Sequence, residues 1–113
     1  MEKFNFDYDS KNDDLFVYLE GKKSSGAVEL GNFILDFDEK GNLVAMQILN
    51  ASDVFNKILS NAVKIAAIKS IEMNIINFRN MAAIKFKIIT EKQEETANIL
   101  IPHIKEKSPV LIY

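Results

Sequence analysis

Apolar and polar residues alternate along most of this chain, most clearly from Gly31 to Asn50. Phe33, Leu35 and Phe37 point to one side of an extended segment, and Ile34, Asp36 and Asp38 point to the other. In the next arm Val44, Met46 and Ile48 share one face, while Leu43, Ala45, Gln47 and Leu49 share the opposite one. Asp38-Glu39-Lys40-Gly41 stands between the arms. Asp suits the first position of a type I turn, and Gly suits the left-handed residue that follows it. The stretch therefore predicts a β-hairpin closed by a type I turn and a bulge.

Phe4, Phe6 and Tyr8 alternate with Asn5 and Asp7, which predicts a strand ahead of this hairpin. A turn-rich run, Asp9 to Asp13, separates it from Leu15 to Leu19, a second strand that is apolar on both faces and so expected at the centre of a sheet. Ala27 to Leu30 predicts a short third strand. After Asn50 the period changes. Val54, Phe55, Ile58, Leu59, Ala62, Val63, Ile65 and Ala66 recur at three- and four-residue steps, predicting an amphipathic helix of about five turns over about 52–69. Ser52 or Asn50 is available to cap it, and Asp53 suits its positive end. Alternation then returns in Ile71-Met73-Ile75, Ile84-Phe86-Ile88 and Ala97-Ile99-Ile101, a second meander over about 70–102. The predicted fold is α+β: one domain over 1–113, with two antiparallel β-meanders joined by and packed on a single amphipathic helix.

The length of 113 residues fits one domain. No run of about 18 apolar residues predicts a membrane span, and the opening residues lack the pattern of a signal peptide. With no cysteine, disulfide and thiolate chemistry are excluded and a cytoplasmic location is expected. The net charge of −2 gives no general attraction to nucleic acid, although residues 1–50 are acidic and residues 51–113 basic.

Three pieces resemble a known family: FDYDSKNDDLFVYL, a tyrosine-aspartate turn before an alternating strand; ILDFDEKGNLVAMQIL, the hairpin; and NAS at the helix entry. Through them residues 6–52 resemble the small proteins called domain of unknown function 2283. The resemblance implies no activity and no catalytic residue. Some members lie beside genes for small toxin proteins, which implies a toxin-neutralising partner as one expectation.

Candidate chemistry is sparse. Asp36-x-Asp38-x-Lys40-Gly41 approaches a calcium loop, but Lys40 puts a cation where an oxygen ligand belongs and Gln47 replaces the closing bidentate Glu. Asp7, Asp9, Asp13 and Asp14 cluster around one turn. Paired carboxylates suit acid–base work or a divalent metal, yet Asp is commonest in turns because it bonds nearby backbone amides. The single histidine, His103, is a poor basis for zinc, and no serine sits in a triad motif. Arg79 to Phe86 approaches an RNA-recognition pattern, but Met81 and Ala83 stand where base-stacking aromatics belong. The four glycines are scattered at 21, 26, 31 and 41, so no phosphate-cradling loop is formed from them.

These residues predict a protein that is not an enzyme, with no catalytic, cofactor-binding or metal-binding residues. The favoured function is a small interaction module that binds another protein or itself, with a homodimer expected. A toxin-neutralising partner is the alternative, and a nucleic-acid binder using Arg79, Lys85 and Lys87 the second alternative. The apolar end 109–113, after the polar Lys105 to Ser108, is expected to pair as a short edge strand on its own sheet, with a second copy of the protein as the alternative.

Overall fold

A computed structural model describes residues 1–77 and 81–102. It corrects the α+β expectation. The strands are β1 (Glu2–Asp9), β2 (Asp14–Tyr18), β3 (Gly26–Leu30), β4 (Phe33–Phe37), β5 (Leu43–Ile48), β6 (Ile68–Asn77), β7 (Met81–Thr90) and β8 (Glu94–Pro102). They form not two meanders on a helix but one antiparallel sheet in the order β3-β4-β5-β2-β1-β6-β7-β8, curled into a half-barrel. The helix α1 (Ala51–Ile58) is short.

The two halves are joined by β1. Its Asn5–Asp9 end pairs with β2, while Glu2, Lys3 and Phe4 pair with Met73, Glu72 and Ile71 of β6. Hairpins between chain neighbours can be read from local alternation. This pairing links residues about seventy positions apart, and no local pattern announces it. The strand that is apolar on both faces, β2, does sit inside the sheet, between β5 and β1. Leu15 and Val17 are fully buried, whereas Phe16 on the other face is 40% exposed.

The central hairpin forms as expected. The Asp38 carboxylate accepts from the N–H groups of Lys40 and Asn42, both at 2.9 Å, and the Asp38 carbonyl accepts from Gly41 N–H at 3.0 Å. The pairing steps from Asp36–Ala45 to Phe37–Leu43, so Val44 is the extra residue of a bulge. Gly41 has φ 82°, which a β-branched residue resists. Gly41→Val is expected to cost about 1–2 kcal/mol, read as a lower thermal midpoint by circular dichroism.

The five-turn helix is also corrected. Leu59 leaves the helix with φ −98° and ψ 143°, and only a 3₁₀ turn, Ile65–Ala67, follows before β6 begins. A distant acceptor competes with the helix. Asn61 donates its backbone N–H to Glu95 Oε1 and its side-chain Nδ2 to Oε2, both at 3.1 Å. In a continuing helix that N–H would bond four residues back. The β-branched Val63, Ile65 and Ile68 add little helix propensity, and Ile65 and Ile68 are buried in the core.

The concave face holds the core. Leu35, Phe37, Met46 and Ile48 from one half meet Ile71, Ile84, Phe86 and Ile88 from the other, all nearly or fully buried. Helix α1 adds Val54 and Phe55, and the Phe55 and Phe86 rings lie 5.9 Å apart and tilted by 52°. No helix among the described residues is long and apolar enough to cross a membrane. His103 and the apolar end 109–113 lie outside the described residues.

Candidate functional site

The turn carboxylates do not converge on one point. Asp9 accepts from the backbone N–H of Lys11 and Asn12 and from Asn12 Nδ2 at 2.7 Å, which holds its carboxyl below the usual range. Asp7 lies across from Phe16 on the outer face. Its negative charge raises the Tyr18 phenol above its ordinary pKa. Asp14 opens β2 opposite Asp9. Asp36 accepts from Ser24 Oγ at 3.1 Å, while Gln47 stands far along β5, across from Phe16 and Ile34. Of the two hairpin aspartates, Asp38 serves the turn and Asp36 meets Ser24 of the loop before β3. Among the described residues no group of three or more His, Asp or Glu is placed to hold a metal ion.

Asp13 is different, and its role is not visible in the sequence. With φ 55° it aims its carboxylate away from its own turn at the start of α1. There it accepts from Ser52 N–H at 3.1 Å and from Ser52 Oγ at 2.9 Å, and its backbone carbonyl accepts from Ala51 N–H at 2.8 Å. Tyr8 Oη donates to the same carboxylate at 2.6 Å. The Tyr8 hydroxyl, and then Ser52, hold Asp13 below the usual carboxylate range, and the bond to Asp13 raises the Tyr8 phenol. Neither Asn50 nor Ser52 caps the helix with its own side chain, contrary to expectation. The cap comes from a carboxylate 39 residues earlier. A carboxylate there also meets the positive end of the helix dipole. The tyrosine-aspartate turn and the Asn50-Ala51-Ser52 entry are thus two ends of one hydrogen-bonded staple.

The basic residues considered for nucleic acid are only partly assembled. Lys85 and Lys87 point outward from β7, and Lys87 pairs with Glu94 at 3.4 Å. Arg79 lies outside the described residues.

The outer face carries apolar side chains in two places. Phe16 and Tyr18 stack at 5.1 Å and 17° on β2. On the far half, Ile76, Ala83 and Leu100 stand in register across β6, β7 and β8. Leu100 is 56% exposed, and Ile76 and the nearby Met81 are each 37% exposed. This row reaches β8, whose only neighbour among the described strands is β7, so its outer edge is open there.

The geometry is that of a β-sheet protein in which the tyrosine-aspartate turn and the helix entry are joined by a hydrogen-bonded staple. A family described as "Protein of unknown function (DUF2283)" matches residues 5–52. An uncharacterised protein of Methanocaldococcus jannaschii is 38% identical over 96 residues, covering 81% of this chain and 79% of that one. The chain belongs to the same family as that protein, and its residues 5–52 carry the segment of unknown function. A Methanosarcina mazei protein provisionally named hypoxanthine phosphoribosyltransferase is 41% identical over 51 residues, 45% of this chain and 42% of that one. No solved structure matches the chain significantly.

Proposed function

We propose that this protein is a non-enzymatic interaction module that associates with a second copy of itself through β8. The observation that carries the proposal is the apolar row Ile76-Ala83-Leu100, which runs to β8, a strand paired on one side only among the described residues. An open antiparallel edge offers unpaired backbone donors and acceptors, and two such edges related by a two-fold axis complement each other. Pairing β8 on its own copy would continue the sheet and cover Leu100. The Methanosarcina name would bring phosphoribosyl chemistry, but the match covers less than half of either chain and no glycine-rich phosphate loop occurs here. The nucleic-acid reading is disfavoured because Lys87 is already paired.

Light scattering on the intact protein tests the dimer. The expected mass is twice the 12.8 kDa of the chain at micromolar concentration, and Leu100→Glu is expected to return it to 12.8 kDa without loss of β-sheet signal. A monomeric mass for the intact protein at every practical concentration would sink the proposal.

A further inference from the structure

Where the connector leaves α1, it opens a cavity of ≈ 750 Å³ between the helix, residues 62–69 and the β7–β8 turn. We propose that this cavity binds a small amphipathic anion, with a carboxylate or phosphate head at Lys64 and Lys92 and an apolar body on Val63 and Ile65.

The volume lies within the range of about 300–1,000 Å³ usual for small-molecule sites. Its lining includes three lysines and one glutamate, in a protein of net charge −2. Glu91 is taken up by Lys69 at 3.6 Å, while Lys64 and Lys92 form no ion pair among the described residues. Two lysines of this lining are therefore left without a carboxylate partner among the described residues. The groove beside the β4–β5 turn, at ≈ 380 Å³, lacks this imbalance, because Lys22 and Lys40 face Glu2 and Asp38 there. Val63, half-buried, and Ile65, buried, line the same cavity and supply its apolar part.

Both walls are held in place. On one side Glu95, only 8% exposed, accepts the backbone and side-chain N–H groups of Asn61 and fixes the start of the connector. These bonds keep its carboxyl ionised below the usual range. On the other side Thr90 Oγ1 accepts from the N–H of Lys92 and Gln93, and Thr90 N–H donates to the Gln93 carbonyl at 2.9 Å. The backbone of Lys92 is thereby pinned at the rim. A cavity formed before the ligand arrives spares the cost of ordering its walls on binding. The sequence pattern could have continued a helix here. The chain instead leaves that pattern where Asn61 bonds Glu95, which opens the cavity.

The intact protein would be titrated with octanoate, octyl phosphate, inorganic phosphate and neutral 1-octanol, followed by calorimetry and by backbone NMR shifts. Saturable binding of octanoate or octyl phosphate with Kd below about 1 mM is expected, with phosphate alone and octanol at least about tenfold weaker. The tighter of the two octyl probes identifies the head group. The shifts are expected to centre on Val63, Thr90 and Gln93. Lys64→Ala with Lys92→Ala, both at exposed positions, is expected to weaken binding about tenfold or more with an unchanged thermal midpoint. The proposal is overturned by no saturable binding up to about 5 mM, by shifts centred elsewhere, by octanol binding equally well, or by full affinity in the double-lysine variant.

Discussion

Phe55→Ala is expected to destabilise the protein by about 3–5 kcal/mol, a fall in thermal midpoint on the order of 10–25 °C. The size follows from position. Phe55 is 1% exposed and stands on a helix of eight residues, too short to persist without packing. Its ring meets Phe86 of β7, so it joins the helix entered from the family segment to the far half of the sheet. Truncation would leave a cavity where the concave faces converge. The neighbouring Asn56 is exposed, and Asn56→Ala should change stability by no more than about 0.5 kcal/mol. Phe55→Leu combined with Phe86→Leu should show a coupling of about 0.5–1.5 kcal/mol. Denaturant unfolding of the parent, Phe55→Ala, Asn56→Ala, the two single leucine variants and their double measures each value. A loss below about 1 kcal/mol for Phe55→Ala would mean that the helix is not part of the core.

Each element legible in the sequence had its determinants close together. The hairpin over Gly31 to Asn50 needed only its own alternation, one aspartate and one glycine, and it formed where the pattern placed it. The interior place of β2 followed from its own composition. What failed depended on distant partners. The helix stopped because Asn61 found Glu95, a residue 34 positions later that local periodicity cannot see. The two meanders merged because Glu2 to Phe4 pair with β6. The sheet is one curled layer and the short helix buries only Ala51, Val54 and Phe55 against it, so separate meanders joined by and packed on a long helix were the wrong architecture. The surface was legible only in part. Lys85 and Lys87 were visible as outward residues of a strand, but the ion pair of Lys87 with Glu94 depends on how β8 pairs. Likewise Leu100 falls between the core residues Ile99 and Ile101, and its row with Ile76 and Ala83 needed the register.

Asp13→Asn is expected to cost about 2 kcal/mol at neutral pH, because Asp13 accepts from Tyr8 Oη, Ser52 N–H and Ser52 Oγ at once. The figure is held below the sum of three charged bonds since the site is only half-buried and partly screened. Asparagine tolerates the left-handed backbone at φ 55°, so this variant reports the lost carboxylate oxygen, whereas Asp13→Ala should lose about 1 kcal/mol more to backbone strain. The pH dependence separates the charge from the shape. The folded carboxyl is held below its ordinary value by the Tyr8 hydroxyl and then by Ser52, so the unfolded chain takes up the proton first. Its contribution is therefore present above the unfolded pKa of about 3.9 and is lost as pH falls through the lower folded value. Asp9, Asp38 and Glu95 are shifted in the same direction, so the parent protein also weakens in acid for other reasons. The difference between parent and Asp13→Asn isolates this one group. In urea unfolding that difference should stay level through neutral pH and narrow below about pH 4. Tyr8→Phe should narrow in the same range, since it removes the first donor to the same carboxylate. A difference that stays constant into strong acid would show that the ionised carboxylate does not hold the helix entry to the tyrosine-aspartate turn.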